Sequence, residues 1–226
     1  MNPTYSCCSS CKKKSQNNIT EHWDKAYNTN SKKLGWYERS PEPSLNLIRK
    51  CNFDKSELLL DVGVGTSTLI DELIKENYKN IIASDLSATA LHKLQDRLST
   101  KSKKVRWIVD DLTNSKELYK LQQIDLWHDR AVLHFFNENI EQDAYFNLLK
   151  KLVKKNGYVI IAAFNLDGAT KCSELYVFRY NKEMLEKRLG SDFKIIESFD
   201  HTYTNPFGDN REYIYTLFKR INQNGQ

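Results

Sequence analysis

From residue 57 onward the chain alternates short apolar runs with longer stretches in which apolar positions recur every three or four residues. Leu58-Leu59-Leu60, Ile81-Ile82-Ala83, Val105 to Val109, Ile124 to His128 and Tyr158 to Phe164 have the length and composition of buried strands. Between them, Thr68 to Tyr78 places Leu69, Ile70, Leu73 and Ile74 on one side. The stretch after Ser87 repeats this spacing with Leu91, Leu94 and Leu98, and Ser87 is a suitable N-cap. A long helix is predicted over about Glu138 to Lys155, after which Gly157 opens the fifth strand. Strands alternating with helices of this length predict an α/β fold with a parallel sheet. After Tyr180 the rhythm changes. A helix from Lys182 to Leu189 precedes two apolar runs, Phe193 to Phe199 and Glu212 to Lys219. The turn Asn205-Pro206-Phe207-Gly208 lies between them, so they read as a hairpin that adds an antiparallel edge.

The N-terminal part has no such pattern. Residues 1–18 are polar, rich in Ser, Asn, Lys and Cys, and read as a flexible tail. A helix is predicted to follow, with Thr20 as N-cap before Glu21-His22-Trp23-Asp24. Gly35-Trp36-Tyr37 and Pro41-Glu42-Pro43 mark a turn, and Pro43 suits the start of a helix carrying Leu45, Leu47 and Ile48. One domain is therefore expected over residues 19–220, with a short tail at 221–226.

Composition narrows the functional classes. Hydrophobic residues at 40% argue for a folded chain. The net charge of +5 neither demands nor excludes nucleic acid as a partner, and none is expected. No apolar run approaches the roughly 18 residues of a membrane span, and the N-terminus lacks the apolar core of an export signal. The expectation is a cytoplasmic protein with no membrane partner. Cys7, Cys8, Cys11, Cys51 and Cys172 are odd in number and unevenly placed, which argues against a disulfide framework. Cys8 and Cys11 have metal-ligand spacing but form only half a site, and no metal is expected.

The densest chemistry lies in Leu60-Asp61-Val62-Gly63-Val64-Gly65-Thr66-Ser67, a strand running through a tight glycine turn into a helix. Glycines at 63 and 65 allow backbone angles other residues avoid and let a ligand approach closely. The third position of a dinucleotide fingerprint holds Ser67, and Asp61 would repel a pyrophosphate. An acid there suits a cationic group instead. Asp85 ends the second strand, where an acid accepts hydrogen bonds from ribose hydroxyls; the alternative is a helix cap. Asp110-Asp111 ends the third strand, where an acid can hold the amino group of adenine. Acids at the ends of three successive strands beside one glycine turn form a single crevice.

Asp61-Val62-Gly63-Val64-Gly65, Asp85 and Asp111 together resemble the first three motifs of class I S-adenosylmethionine-dependent methyltransferases. The resemblance implies a three-layer Rossmann-like α/β sandwich with strand order 3-2-1-4-5-7-6, the last strand antiparallel. It implies S-adenosylmethionine as cofactor, with Asp61 near the methionine portion, Asp85 at the ribose and Asp111 at the adenine. Thr66, Leu86, Leu112 and Asp129 complete that implied cofactor set. Asp129-Arg130-Ala131-Val132 is similar to the segment that follows the fourth strand in lysine methyltransferases acting on elongation factor 1A and citrate synthase. Trp23-Asp24-Lys25-Ala26-Tyr27 and Trp36-Tyr37 resemble the N-terminal segment of that group. Arg130, Ala131 and Val132 depart from its pattern. Trp127 to Val132, Lys171-Cys172-Ser173 and Arg179-Tyr180 are closer to a bacterial-type group, so the acceptor, protein lysine or small molecule, stays open.

Methyl transfer from a cationic sulfur asks mainly for alignment and exclusion of water. A nitrogen acceptor must arrive unprotonated. Asp129 is the first choice for holding an amine, with His128 and His134 behind it. Trp36 and Tyr37 are expected to close over the site, and Arg130 to meet the acceptor. Each has a plainer alternative: packing for both histidines, anchoring of the first helix for the aromatics, and an inert thiol at Cys172. Two other classes compete. A nicotinamide-dependent oxidoreductase would want a third glycine and no acid at Asp61. A noncatalytic cofactor-binding subunit would bind without turnover.

Overall fold

The computed structural model describes residues 9–221, with side chains from Asn18 onward. The chain order is α1 (Ser9–Tyr27), α2 (Glu42–Lys50), β1 (Leu58–Val62), α3 (Leu69–Lys75), β2 (Asn80–Asp85), α4 (Ala88–Leu98), β3 (Val105–Val109) and β4 (Ile124–Arg130). It continues with α5 (Asn139–Leu152), β5 (Val153–Phe164), the small hairpin β6 (Lys171–Cys172) and β7 (Leu175–Tyr176), α6 (Lys182–Leu189), β8 (Phe193–Thr204) and β9 (Asn210–Arg220).

Seven strands form one sheet in the order β3-β2-β1-β4-β5-β9-β8. The first five are parallel, and β9 runs antiparallel to both β5 and β8. This is the α/β sandwich expected, with the order 3-2-1-4-5-7-6 when only the main-sheet strands are counted. Strand alternation divides the core in two. Leu59, Ile81, Leu126 and Ile160 face the side covered by α2, α3 and α4. Leu60, Ile82, Trp127 and Ile161 face the side covered by α5 and α6.

Local signals start the helices. Ser87 Oγ accepts the N–H of Ala90 to cap α4, and Asn181 does the same for Met184 at α6. Glu138 and Glu141 form a reciprocal capping box at α5. Pro43 lies in the first turn of α2 as its fixed φ allows.

Three boundaries differ from the sequence expectation. Helix α1 starts at Ser9, so Thr20 lies inside it and does not cap it; no Pro or Gly interrupts the chain from Ser9 to Tyr27. Residues 1–8 of the expected tail lie outside the described residues. Helix α5 stops at Leu152, because Val153 already pairs with Ile124 and opens β5 across a bulge. Strand β4 runs to Arg130, paired to Ala162, two residues beyond His128. Among the described residues no helix is long and apolar enough to cross a membrane.

Candidate active site

The turn after β1 carries positive φ at Gly63 (60°) and Gly65 (52°), where an L-residue is strained. Space forbids side chains as well. A Cβ on Gly63 would collide with Val132, and one on Gly65 with the Tyr27 hydroxyl. The turn is tied to the end of β2: Gly65 N–H donates to Asp85 Oδ2 at 2.8 Å, and Ser87 N–H donates to Asp85 Oδ1 at 2.8 Å. Burial pushes Asp85 up to about 6, opposed by those two N–H donors and assisted by the charges of Asp61 and Asp24.

A cleft of about 420 Å³ opens at the C-terminal ends of β1 to β4. That is within the size range of small-molecule sites. Asp85, Leu86, Asp111 and Leu112 line one end of it, together with Gly63. Asp111 Oδ1 accepts the N–H and hydroxyl of Thr113 at 2.8 and 2.7 Å. Its neighbour Asp110 also borders the cleft, but its oxygens take the Ser115 hydroxyl and the N–H groups of Lys116, Glu117 and Leu118. Asp110 therefore folds the loop after β3. Trp23, Trp36, Tyr27 and Phe135 form an aromatic wall, with Trp23 edge-on to Phe135 at 4.8 Å and to Trp36 at 5.7 Å between centroids. The β6–β7 hairpin contributes Cys172, Leu175 and Tyr176 to the cleft. His22 Nε2 lies 3.2 Å from Ser173 Oγ and links α1 to that hairpin.

Strand alternation sorts the residues expected from β4. His128 and Arg130 point to the α2 side, Asp129 to the α5 side. Asp129 is fully buried and lines no part of the cleft. Its oxygens accept the N–H groups of Val132 (3.0 Å) and Leu133 (3.1 Å) and the Tyr145 hydroxyl (2.7 Å). Burial raises it to about 6 against those hydrogen bonds. Asp129, expected to hold the acceptor and touch the cofactor, is not among the residues lining the cleft, and its hydrogen bonds hold the loop whose Val132 abuts Gly63. His134 is also fully buried outside the cleft, among Phe135, Phe164 and Tyr213. Its Nδ1 accepts the N–H of Phe164, and burial lowers it to about 3, so the ring is neutral. The ring is not among the residues lining the cleft.

The chain matches the methyltransferase domain family over residues 53–218. It belongs to that family. It is an S-adenosylmethionine-dependent methyltransferase of the class I fold. It is 24% identical over 182 residues to EEF1A lysine methyltransferase 2 of Danio rerio, covering 74% of this chain and 76% of that one. A solved SAM-dependent methyltransferase from Anabaena variabilis superposes with a TM-score of 0.72 at 13% identity, covering 91% of this chain and 95% of that one. The 1,6-didemethyltoxoflavin-N1-methyltransferase of Burkholderia thailandensis, solved with its acceptor and S-adenosylhomocysteine, gives a TM-score of 0.68 at 13% identity over 98% and 94% of the two chains.

The methyltransferase carries a second, smaller cavity of about 40 Å³ beside the cleft, sharing Tyr27, Trp36, Gly63 and Arg130 with it. Thr66 and Tyr37 line this cavity, not the cleft. Arg130 sits between the two spaces. Its Nε meets Glu38 Oε2 at 2.9 Å and the Tyr215 hydroxyl at 3.1 Å, and Nη1 donates to the Trp36 carbonyl at 3.1 Å. Burial works against the guanidinium charge, but Glu38, Tyr215 and Tyr213 together outweigh it and the group is held more firmly protonated. Glu38 is raised by burial and pulled back by Arg130. Glu38, Ser44, Tyr27 and Tyr215 were not legible as site residues. They come from a loop, the start of α2, the end of α1 and β9, and only the fold gathers them. Position at the turn Trp36-Tyr37-Glu38 was the one available signal for Glu38.

Proposed function

We propose that the methyltransferase holds its cofactor in the 420 Å³ cleft and methylates a small acceptor entering between α1 and the β6–β7 hairpin. The observation that carries this reading is the meeting, in one cleft, of the left-handed glycine turn with Asp85 and Asp111. Those residues fit S-adenosylmethionine: carboxylates for the ribose diol and the adenine amino group, and Leu86, Leu112 and Val132 for the flat faces of the base. Asp61, which keeps one buried oxygen without a partner among the described residues, suits the ammonium of the amino-acid portion. When bound, the cofactor supplies a methyl group on a cationic sulfur, which is a good leaving group.

The protein's own residues supply positioning and dryness. Trp23, Trp36 and Phe135 exclude water and offer ring faces that favour a cation. Asp129 sets the rim of the glycine turn through Val132. Arg130 stands where the cleft meets the smaller cavity, and Glu38 of the N-terminal loop lines that cavity beside it. With Asp129 and His134 outside the cleft, the acceptor is one that needs no strong base, or one that Glu38 can relieve of a proton. The catalytic domain is taken as residues 19–220, acting in the cytoplasm.

A protein lysine is the second reading, and the similarity to a lysine methyltransferase of elongation factor 1A favours it. Incubation with tritiated S-adenosylmethionine and fractionated host extract separates the two. Label in the small-molecule fraction supports the first reading, and label in one protein band supports the second. Failure of label to appear in any fraction, with cofactor bound, would argue for a noncatalytic binding subunit.

A further inference from the structure

Asp61 and His128 are register partners on the adjacent parallel strands β1 and β4, and both face the α2 side of the sheet. His128 Nδ1 lies 2.6 Å from Asp61 Oδ1, and His128 Nε2 lies 2.9 Å from Ser44 Oγ in the first turns of α2. A carboxylate only accepts, so Nδ1 carries a proton and donates it to Asp61 Oδ1, while Nε2 shares a hydrogen bond with the Ser44 hydroxyl. Beside Ser44 the Tyr215 hydroxyl accepts from Arg130 Nε. All three members of the Ser44–His128–Asp61 line are buried, and all three border the 40 Å³ cavity.

Both Asp61 and Arg130 border that cavity, and Asp61 Oδ2 and Arg130 Nη2 have no hydrogen-bond partner among the described residues, although the guanidinium pairs with Glu38 and lies over the Tyr203 and Tyr213 rings. Buried polar atoms without partners are rare and call for an occupant. One is an anionic acceptor and the other a cationic donor. A zwitterion, with an ammonium and a carboxylate on one carbon, satisfies both at once. A single serine–histidine–aspartate line has no nucleophilic task in methyl transfer. Its effect is on Asp61: the Nδ1–H holds Oδ1 and fixes the orientation of the carboxylate, leaving Oδ2 without a hydrogen-bond partner among the described residues.

We propose that Ser44 and His128 are positioning residues that aim Asp61 at the ammonium of the cofactor's amino-acid portion, with Arg130 facing its carboxylate. This rests on the cofactor reading above. The line therefore separates S-adenosylhomocysteine, which carries the amino-acid portion, from 5′-methylthioadenosine, which keeps the nucleoside and thioether and lacks it.

Calorimetric titration with these two probes tests it without any acceptor. His128→Leu should weaken S-adenosylhomocysteine about tenfold and 5′-methylthioadenosine less than about twofold. His128→Asn, whose amide can donate from the place of Nδ1, should recover most of the loss. Ser44→Ala should produce a smaller selective loss, and it stands in for His128→Leu if that variant does not fold. Equal weakening of both probes, or no weakening of either, would overturn the proposal. If the unaltered protein binds neither probe, the cofactor reading fails first and the positioning role with it.

Discussion

Tyr145 donates its hydroxyl to Asp129 Oδ2 at 2.7 Å while accepting Trp127 Nε1–H at 3.1 Å, entirely beneath the sheet. The contact points to a structural role for Asp129. Tyr145→Phe should lower stability by about 1.5–3 kcal/mol, the loss expected for a buried hydrogen bond to a charged group. Asp129→Asn should lower it too, because one amide cannot accept from three donors. Denaturant titration measures both. A normal midpoint in Asp129→Asn combined with lost turnover would return Asp129 to the chemistry.

The glycine turn is the most constrained part of the cleft. Gly65→Ala combines a left-handed φ with a collision against Tyr27, and Gly63→Ala collides with Val132. Both should abolish cofactor binding. Tyr27→Phe removes the hydroxyl that Gly65→Ala meets and should partly rescue that variant alone. Calorimetry on the single and double variants reads this; rescue of Gly63→Ala by Tyr27→Phe would contradict the geometry.

Asp85 ties cofactor affinity to pH. Its folded value of about 6 lies above the ordinary 3.8, so the unliganded protein holds this proton where the unfolded chain has released it. The associated stability is present below pH 3.8 and is lost as pH rises through about 6. Binding has the opposite sign, because ribose hydroxyls donate to the ionised form. Affinity for S-adenosylhomocysteine should fall about tenfold per unit below pH 6. Asp85→Asn should bind weakly with a flat profile. An unchanged profile in that variant would assign the titration elsewhere.

His134 opposes that stability trend. Burial lowers it from 6.5 to about 3, so the unfolded chain binds the proton first. Its contribution is present above pH 6.5 and is lost as pH falls toward 3. His134→Phe should be less stable at pH 7.5, where the Phe164 N–H loses its acceptor, yet lose less on acidification. Melting temperatures between pH 7.5 and 4.5 test this. A parallel fall in both proteins would rule out His134 as the acid-sensitive group.

The sheet was readable from the chain because buried parallel strands leave unbroken apolar runs, and Asp85 and Asp111 could be placed because each ends such a run. Register is not written in that pattern. A residue's face depends on the exact end of its strand, and β4 extends to Arg130 where the apolar signal ends at His128. Asp129 therefore looked like the residue at the cleft, and the one-step alternation put His128 at the smaller cavity and Arg130 between that cavity and the cleft. Glu38 and Ser44 lie in a segment whose only signals were aromatic and proline residues, and their partners are far away in sequence.

The central claim is that Asp85 receives the ribose of a cofactor seated over the glycine turn. Titration of S-adenosylhomocysteine into the unaltered protein and into folded Asp85→Ala, by calorimetry at pH 7.5, tests it most directly. A loss of about 1–3 kcal/mol in the variant is the predicted result. Equal affinity in the two proteins would contradict it.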